Sequence, residues 1–242
     1  MRGGDLMDYS LYPLGENAII IELGNELNLL THQKVQAISS FLENHSFHWM
    51  VEYIPAFSTV TIFYNPLKIM NNLKGELPNQ FVCNELHEAL SDLPVNQHTE
   101  TRIVEIPVCY GEQFGPDLES VAKLNGLTAD EVVQIHSSAE YTVYMIGFAP
   151  GFPYLGGMSE EIAAPRLPSP RLKIPERTVG IAGKQTGIYP ISTPGGWNLI
   201  GRTPVELFQP NAETPSLLRA GDKIRFKPIS YQEYIEWGGQ EG

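Results

Sequence analysis

Cysteine is scarce in this chain: two in 242 residues, Cys83 and Cys109, with no Cys-x-x-Cys pair. That rules out a disulfide framework, and both thiols are expected free in a reducing cytosol. There is no HxH, HExxH or paired-cysteine spacing either, so no metal site is expected. Long apolar runs are missing; the best, Ala18–Ile21, is four residues, against roughly 20 for a membrane-spanning helix. The start, Met1-Arg-Gly-Gly-Asp5, lacks the apolar core of a signal peptide, and Met7 is an alternative initiator. A cytoplasmic protein without membrane association is expected. Positive charge is also in deficit, with sixteen Lys and Arg against twenty-eight Asp and Glu and a formal net charge of −12. So acidic a chain is not expected to bind nucleic acid, which calls for a basic face sustained over a domain. Phosphate loops are absent as well. The run Gly180-Ile-Ala-Gly-Lys-Gln-Thr-Gly187 invites a Walker A reading, but Thr178 stands where its first glycine belongs and Gln185 follows Lys184. No GxGxxG fingerprint appears, so neither standard loop of this chain alone binds a nucleotide.

What is present is uneven. Residues 162–205 hold six of the sixteen cations, Arg166, Arg171, Lys173, Arg177, Lys184 and Arg202, against a single acid, Glu176. An acidic body repels stray anions, so a cationic island within it suits a specific carboxylate, phosphate or acidic partner surface. The alternative is a solvated surface with no ligand.

The length suits one large or two modest domains, and the 42% hydrophobic and 18% charged content is that of a globular protein. Tyr9–Leu14 and Asn17–Leu23 read as strands joined at Gly15. Apolar residues at helical spacing mark a helix from about Asn28 to Asn44. Val51–Ile54 and Thr59–Tyr64 read as a strand pair, and Phe81–Leu93 as a second helix. The order ββαββα makes an α+β domain, with a boundary in the polar stretch Pro94–Glu100 that divides the chain into residues 1–97 and 98–242. The second part opens with a strand over Arg102–Tyr110 and helices over Asp117–Leu124 and after Thr128, where Thr128 and Glu131 form a capping box. Beyond His136, short strands (Tyr141–Ile146, Val179–Ala182, Thr186–Tyr189, Asn198–Arg202, Lys223–Pro228) punctuated by Gly and Pro predict a barrel or sandwich.

Several residues are candidates for chemistry. Tyr144–Gly157 carries four glycines and two prolines. It predicts a rigid irregular loop that either presents Phe148, Phe152 and Tyr154 to a ligand or packs them inward. Pro165–Pro175 holds four prolines, so Arg171 and Lys173 sit on a pre-ordered segment and lose little entropy on gripping an anion. The other reading is a coat over the barrel with its arginines in surface ion pairs. Gln185 and Tyr189 suit hydrogen bonding from strands that line a pocket. Trp197, beside Gly195 and Gly196, is either a flat wall for a ring or barrel core. Arg202 is expected to face solvent, a carboxylate or a substrate, because unpaired burial is costly. His136 is a candidate general base or orienting donor, or merely a structural histidine.

These runs resemble a known family. His136-Ser-Ser, Tyr144–Gly157, Pro165–Arg171, Val179–Pro190 and Pro194–Thr203, in that order, are similar to the family of B-type 5-oxoprolinase subunits. That family includes the sporulation-kinase inhibitor Kip and the first subunit of allophanate-hydrolase-type proteins. The resemblance covers nearly the whole chain, from Tyr9 to Asp222, and the six-residue extension at the start has no match in it. It implies an N-terminal α+β domain followed by a mainly-β cyclophilin-like barrel. It implies, first, a subunit that works with A- and C-type sister subunits and ATP to open 5-oxo-L-proline to L-glutamate. On that reading His136 and Arg202 are catalytic, and Phe148, Phe152, Arg171, Lys184, Gln185, Tyr189 and Trp197 bind substrate, with ATP shared with a partner. It implies, second, an inhibitor that docks on a sensor histidine kinase through the same loop and basic strip. Allophanate or urea-type substrates remain open. Prolyl isomerase activity rests on likeness of fold alone and ranks last.

Overall fold

The computed structural model describes residues 7–25, 29–73, 75–94 and 102–239. Its contacts divide the chain into two compact units, Met1–Glu100 and Thr101–Gly242. The boundary expected between residues 97 and 98 lies outside the described residues.

In the first unit, β1 (Ser10–Leu14) and β2 (Ala18–Glu22) form a hairpin that turns through Gly15 at φ 62°. Then come α1 (Leu29–Asn44), β3 (Met50–Pro55), β4 (Thr59–Tyr64) and α2 (Pro78–Leu90). The strands make one antiparallel sheet in the order β1-β2-β4-β3. Alternation decides its faces: Val60, Ile62 and Tyr64 are buried while Thr59, Thr61 and Phe63 are half-buried. The buried face packs against Val35, Ile38 and Leu42 of α1 and Val82, Leu86 and Leu90 of α2, which recur at helical spacing. Helix α2 begins three residues before the expected Phe81, because Pro78 at its first turn surrenders an N–H that has no intrahelical partner.

The second unit is built on a closed barrel. Its elements are β5 (Ile103–Tyr110), α3 (Leu118–Asn125), α4 (Ala129–Ser138), β6 (Glu140–Ile146), β7 (Pro153–Gly156), β8 (Arg171–Ile174), β9 (Thr178–Ala182), β10 (Gln185–Ile188), β11 (Thr193–Gly195), β12 (Asn198–Arg202), β13 (Lys223–Pro228) and α5 (Tyr231–Glu236). Seven strands close in the order β10-β7-β6-β13-β5-β12-β9, with β13 parallel to β5 and the other pairs antiparallel. Val108, Val143, Val179, Ile188 and Ile224 fill the interior, and α3 and α4 add Val121 and Val132 to the same core. So small a barrel is filled by its own side chains, and a ligand must meet it from outside.

Strands β7, β8 and β11 and helix α5 were not expected. Pro153 opens β7, a strand position where a missing N–H breaks no ladder. The signal for α5 was present: Ser230 and Glu233 repeat the reciprocal capping of Thr128 and Glu131.

A second apolar layer lies on the outside of β9 and β10. Val179, Ile181 and Ile188 join the barrel core. The alternating positions Gly180, Ala182, Gln185 and Gly187 therefore face outward. Over them sit Phe152, Tyr189 and Trp197. Phe152 meets Tyr189 edge-on at 5.5 Å and 68° and Trp197 at 5.7 Å and 85°, contacts worth about 0.5–1.5 kcal/mol each beyond burial. The glycines make the room, since a Cβ at Gly187 would stand 3.0 Å from Phe152 Cζ and 3.1 Å from Trp197 Cζ3. Gly187→Ala is therefore expected to lower stability by about 1–3 kcal/mol, read as a lower urea midpoint with a shift in tryptophan emission. An unchanged midpoint would show that the aromatic layer yields to a methyl group at no cost.

Candidate functional site

The loop between β6 and β7 is held by its own backbone: Gly147 N–H donates to Phe152 O at 3.0 Å, and Phe152 N–H to Ala149 O at 3.0 Å. This turn places Phe148 at φ 66°, 66% exposed, with its ring 5.4 Å from that of Phe152. A bulky residue in the left-handed region with its ring turned to solvent is an outlier of the kind that gathers at functional sites.

Beside this loop lies the ribbon of β8 and β11. Arg171, on β8, donates to Asp117 Oδ1 at 2.7 Å and to Trp197 O at 3.4 Å. Asp117 Oδ2 accepts from Leu199 N–H at 2.7 Å. Burial pushes the Tyr189 phenol up to about 12, against the pull of Arg166, the Trp197 backbone and Arg171. Tyr189 therefore keeps its proton across the physiological range. Phe148, Phe152, Tyr189, Trp197 and Arg171 thus share one neighbourhood, and Gln185, half-buried, lies on the same outer face.

The other expected site residues lie elsewhere. Lys184 is at the tip of the β9–β10 hairpin, paired with Glu160 at 2.6 Å, both side chains about two-thirds exposed. The segment 180–187 is strand, turn and strand. It precedes no helix whose N–H groups would face a phosphate, so these residues do not fit a nucleotide loop. Arg202, expected to face solvent, a carboxylate or a substrate, is corrected on the first of these: it does not face solvent. It is 6% exposed, donates from Nε to Glu176 O at 3.0 Å and lies 5.9 Å from the Phe114 ring centre. It secures backbone. Nor is the basic strip one patch, because Asp117, Glu160 and Glu176 each take one of its cations.

His136 is likewise corrected. It is fully buried, with Tyr110 Oη 2.8 Å from Nδ1, Thr186 Oγ1 2.8 Å from Nε2 and Phe226 packed on the ring at 4.5 Å. The single Thr186 hydroxyl proton goes to Gly180 O. Nε2 therefore carries the hydrogen that Thr186 accepts, and Nδ1 accepts from Tyr110. A general base needs a nitrogen that substrate can reach, and both are occupied inside the protein.

Sequence reasoning passed over three features. Asp117 carried no signal beyond being an acid at a helix start. Arg177 was counted in the strip, but its φ of 65° and its 4% exposure are invisible in sequence. Left-handed backbone costs a non-glycine residue roughly 1–2 kcal/mol. Arg177 also lines a cavity of about 660 Å³ together with Glu176, Glu206, Phe208, Gln209 and Asn211. A smaller hollow of about 350 Å³ shares Glu206 and Gln209 and is bounded by Arg102 and Arg219, both ion-paired to the buried Asp222.

Comparison with known proteins places this architecture. The family model "Carboxyltransferase domain, subdomain C and D" matches residues 9–218. The chain is 50% identical over 228 residues to the B-type 5-oxoprolinase subunit of Bacillus subtilis, covering 93% of this chain and 95% of that one. It is 41% identical over 218 residues to the B-type 5-oxoprolinase subunit of Escherichia coli O157:H7, covering 90% and 94%. The crystal structure of TTHA0988 superposes with a TM-score of 0.77 at 34% identity over 88% of this chain, which spans 40% of that protein. Among the described residues no helix is long and apolar enough to cross a membrane.

The buried histidine makes the barrel sensitive to acid. Burial lowers His136 to about 3, whereas an unfolded histidine titrates near 6.5. The folded state therefore gains nothing above that value and loses stability as pH falls from about 6.5 towards 3, by about 1.4 kcal/mol per pH unit from this residue. Urea unfolding between neutral pH and pH 4.5 should show this slope, and His136→Gln should flatten it. An equal slope in the variant would place the acid sensitivity elsewhere.

Proposed function

The chain belongs to the carboxyltransferase-domain family, subdomains C and D, and on that footing we propose that it is the B-type subunit of an ATP-dependent 5-oxoprolinase. With A- and C-type partners it opens the lactam of 5-oxo-L-proline to L-glutamate, adding water across the amide C–N bond. The carrying observation is the 50% identity to the Bacillus subtilis protein over nearly the whole of both chains. In this reading the first unit is an α+β domain and the second a cyclophilin-like barrel whose outer face carries the substrate contacts.

The geometry supports specific roles. Exposed Phe148 offers an apolar wall for a five-membered ring, and Phe152, Tyr189 and Trp197 brace it from behind. Arg166 and Arg171 both act electrostatically on Tyr189 behind that wall and suit the substrate carboxylate, Arg171 held in aim by Asp117. Gln185 donates to or accepts from the lactam amide. A lactam is a poor electrophile, and ATP supplies the activation that makes its carbonyl carbon reactive. With no phosphate loop in this chain, we assign the nucleotide contacts to the partner subunits.

Co-expression with A- and C-type partners should yield ATP-dependent glutamate release from 5-oxo-L-proline that disappears when this chain is omitted. Arg166→Ala, at an exposed position, should raise KM about tenfold or more through loss of a charge-assisted contact. Full activity of the partners without this chain would sink the assignment; an unchanged KM would remove Arg166 from the site.

A further inference from the structure

We propose that the cavity bounded by Arg177 is a binding site for a small amino acid, taken as its zwitterion with the carboxylate on Arg177 and the ammonium between Glu176 and Glu206. It goes beyond the reading above and does not depend on it, for neither Phe148 nor Arg171 lines this cavity.

Folding alone does not explain Arg177. At φ 65° glycine would sit without strain, yet a long cationic side chain is held there. Its side chain is 5% exposed, donates to Pro204 O at 3.1 Å and to Glu176 Oε1 at 3.3 Å, and leaves Nε buried with no hydrogen-bond partner among the described residues. A buried, under-bonded cation on strained backbone is costly, and such costs gather at functional sites.

The surroundings choose the ligand. Glu176 and Glu206 would repel a simple anion, and Arg177 would repel a simple cation. A molecule with one carboxylate and one ammonium satisfies both signs, while Gln209 and Asn211 offer amides to either end. Phe208 gives the side chain an apolar wall. The volume of about 660 Å³ lies within the roughly 300–1,000 Å³ of small-molecule sites. The floor is also fixed in advance: Arg177 N–H donates to Tyr189 O, Thr203 N–H to Arg177 O, and Arg202 Nε to Glu176 O. Pre-set donors lose little freedom on binding.

The test uses the full-length chain. A thermal-shift screen of the standard amino acids at millimolar concentration should find at least one that raises Tm, L-glutamate and 5-oxo-L-proline being separate arms. Calorimetry should then show that L-alanine binds while propionate, lacking the ammonium, and ethylamine, lacking the carboxylate, bind about tenfold more weakly or worse. Arg177→Gly should abolish this binding by about ten- to hundredfold with Tm unchanged or higher, because it releases backbone strain and a buried charge. Glu206→Gln, at an exposed position, should weaken amino acids and leave propionate unaffected or tighter. The proposal fails if no amino acid shifts Tm, if propionate binds as well as L-alanine, or if Arg177→Gly binds as the parent does.

Discussion

One carboxylate holds the outer face of the barrel unit together. Asp117 stands at the start of α3, where a carboxylate ordinarily caps the helix, yet its side chain makes no capping bond. Instead it accepts from Leu199 N–H on β12 and from Arg171 on β8, and its own N–H donates to Leu199 O. Helix start, barrel strand and ribbon are thereby tied at one point. Bonds to a charged group of this kind contribute roughly 1.5–3 kcal/mol each. Removing the acid would leave a buried N–H without its partner and the half-buried Arg171 guanidinium with only its longer bond to Trp197 O. The aim of Arg171 beside Trp197 follows from this tie.

The filled interior turns the barrel's polar groups on one another. Polar groups within the barrel, His136 and Thr186, satisfy each other and Gly180 O, so neither is left to recognise a ligand. Outside, glycines at 180 and 187 exchange side chains for space, and aromatics from distant segments fill it. The resulting layer is buried, and it leaves Phe148 as the ring exposed to solvent. The cations of residues 162–205 are distributed by the same economy of burial. Arg171, Arg177 and Lys184 each have an acid within reach and pair with it, and Arg202 secures a carbonyl. Among the described residues, Arg177 alone combines strained backbone with an unbonded buried guanidinium nitrogen.

Much of this was legible in advance. Period-two burial in Thr59–Tyr64, the helical spacing of Val35, Ile38 and Leu42, and the reciprocal Thr128–Glu131 cap are local patterns, and each appears where expected. Strand Asn198–Arg202 matches residue for residue. Pro153 and the prolines around Arg171 read as loop because a proline denies a strand its donor; only pairing with β6 and β11 revealed which positions needed none. Of the candidate site residues, Phe148, Phe152, Arg171, Tyr189 and Trp197 come from several segments and share one neighbourhood, whereas His136, Lys184 and Arg202 are separated by which face of a strand or helix each occupies.

Residue type and spacing by themselves determined most of the elements, their amphipathic faces and the family, because those depend on neighbours a few positions apart. Tertiary structure alone decided which polar groups stay wet. Barrel closure drew His136 inside, the β12–β9 pairing set Arg202 against Glu176 O, and the backbone turned left-handed at Arg177. Burial of a charge is a property of everything packed around it, and those surroundings come from distant parts of the chain, as in the sequence separation of 54 between Arg171 and Asp117.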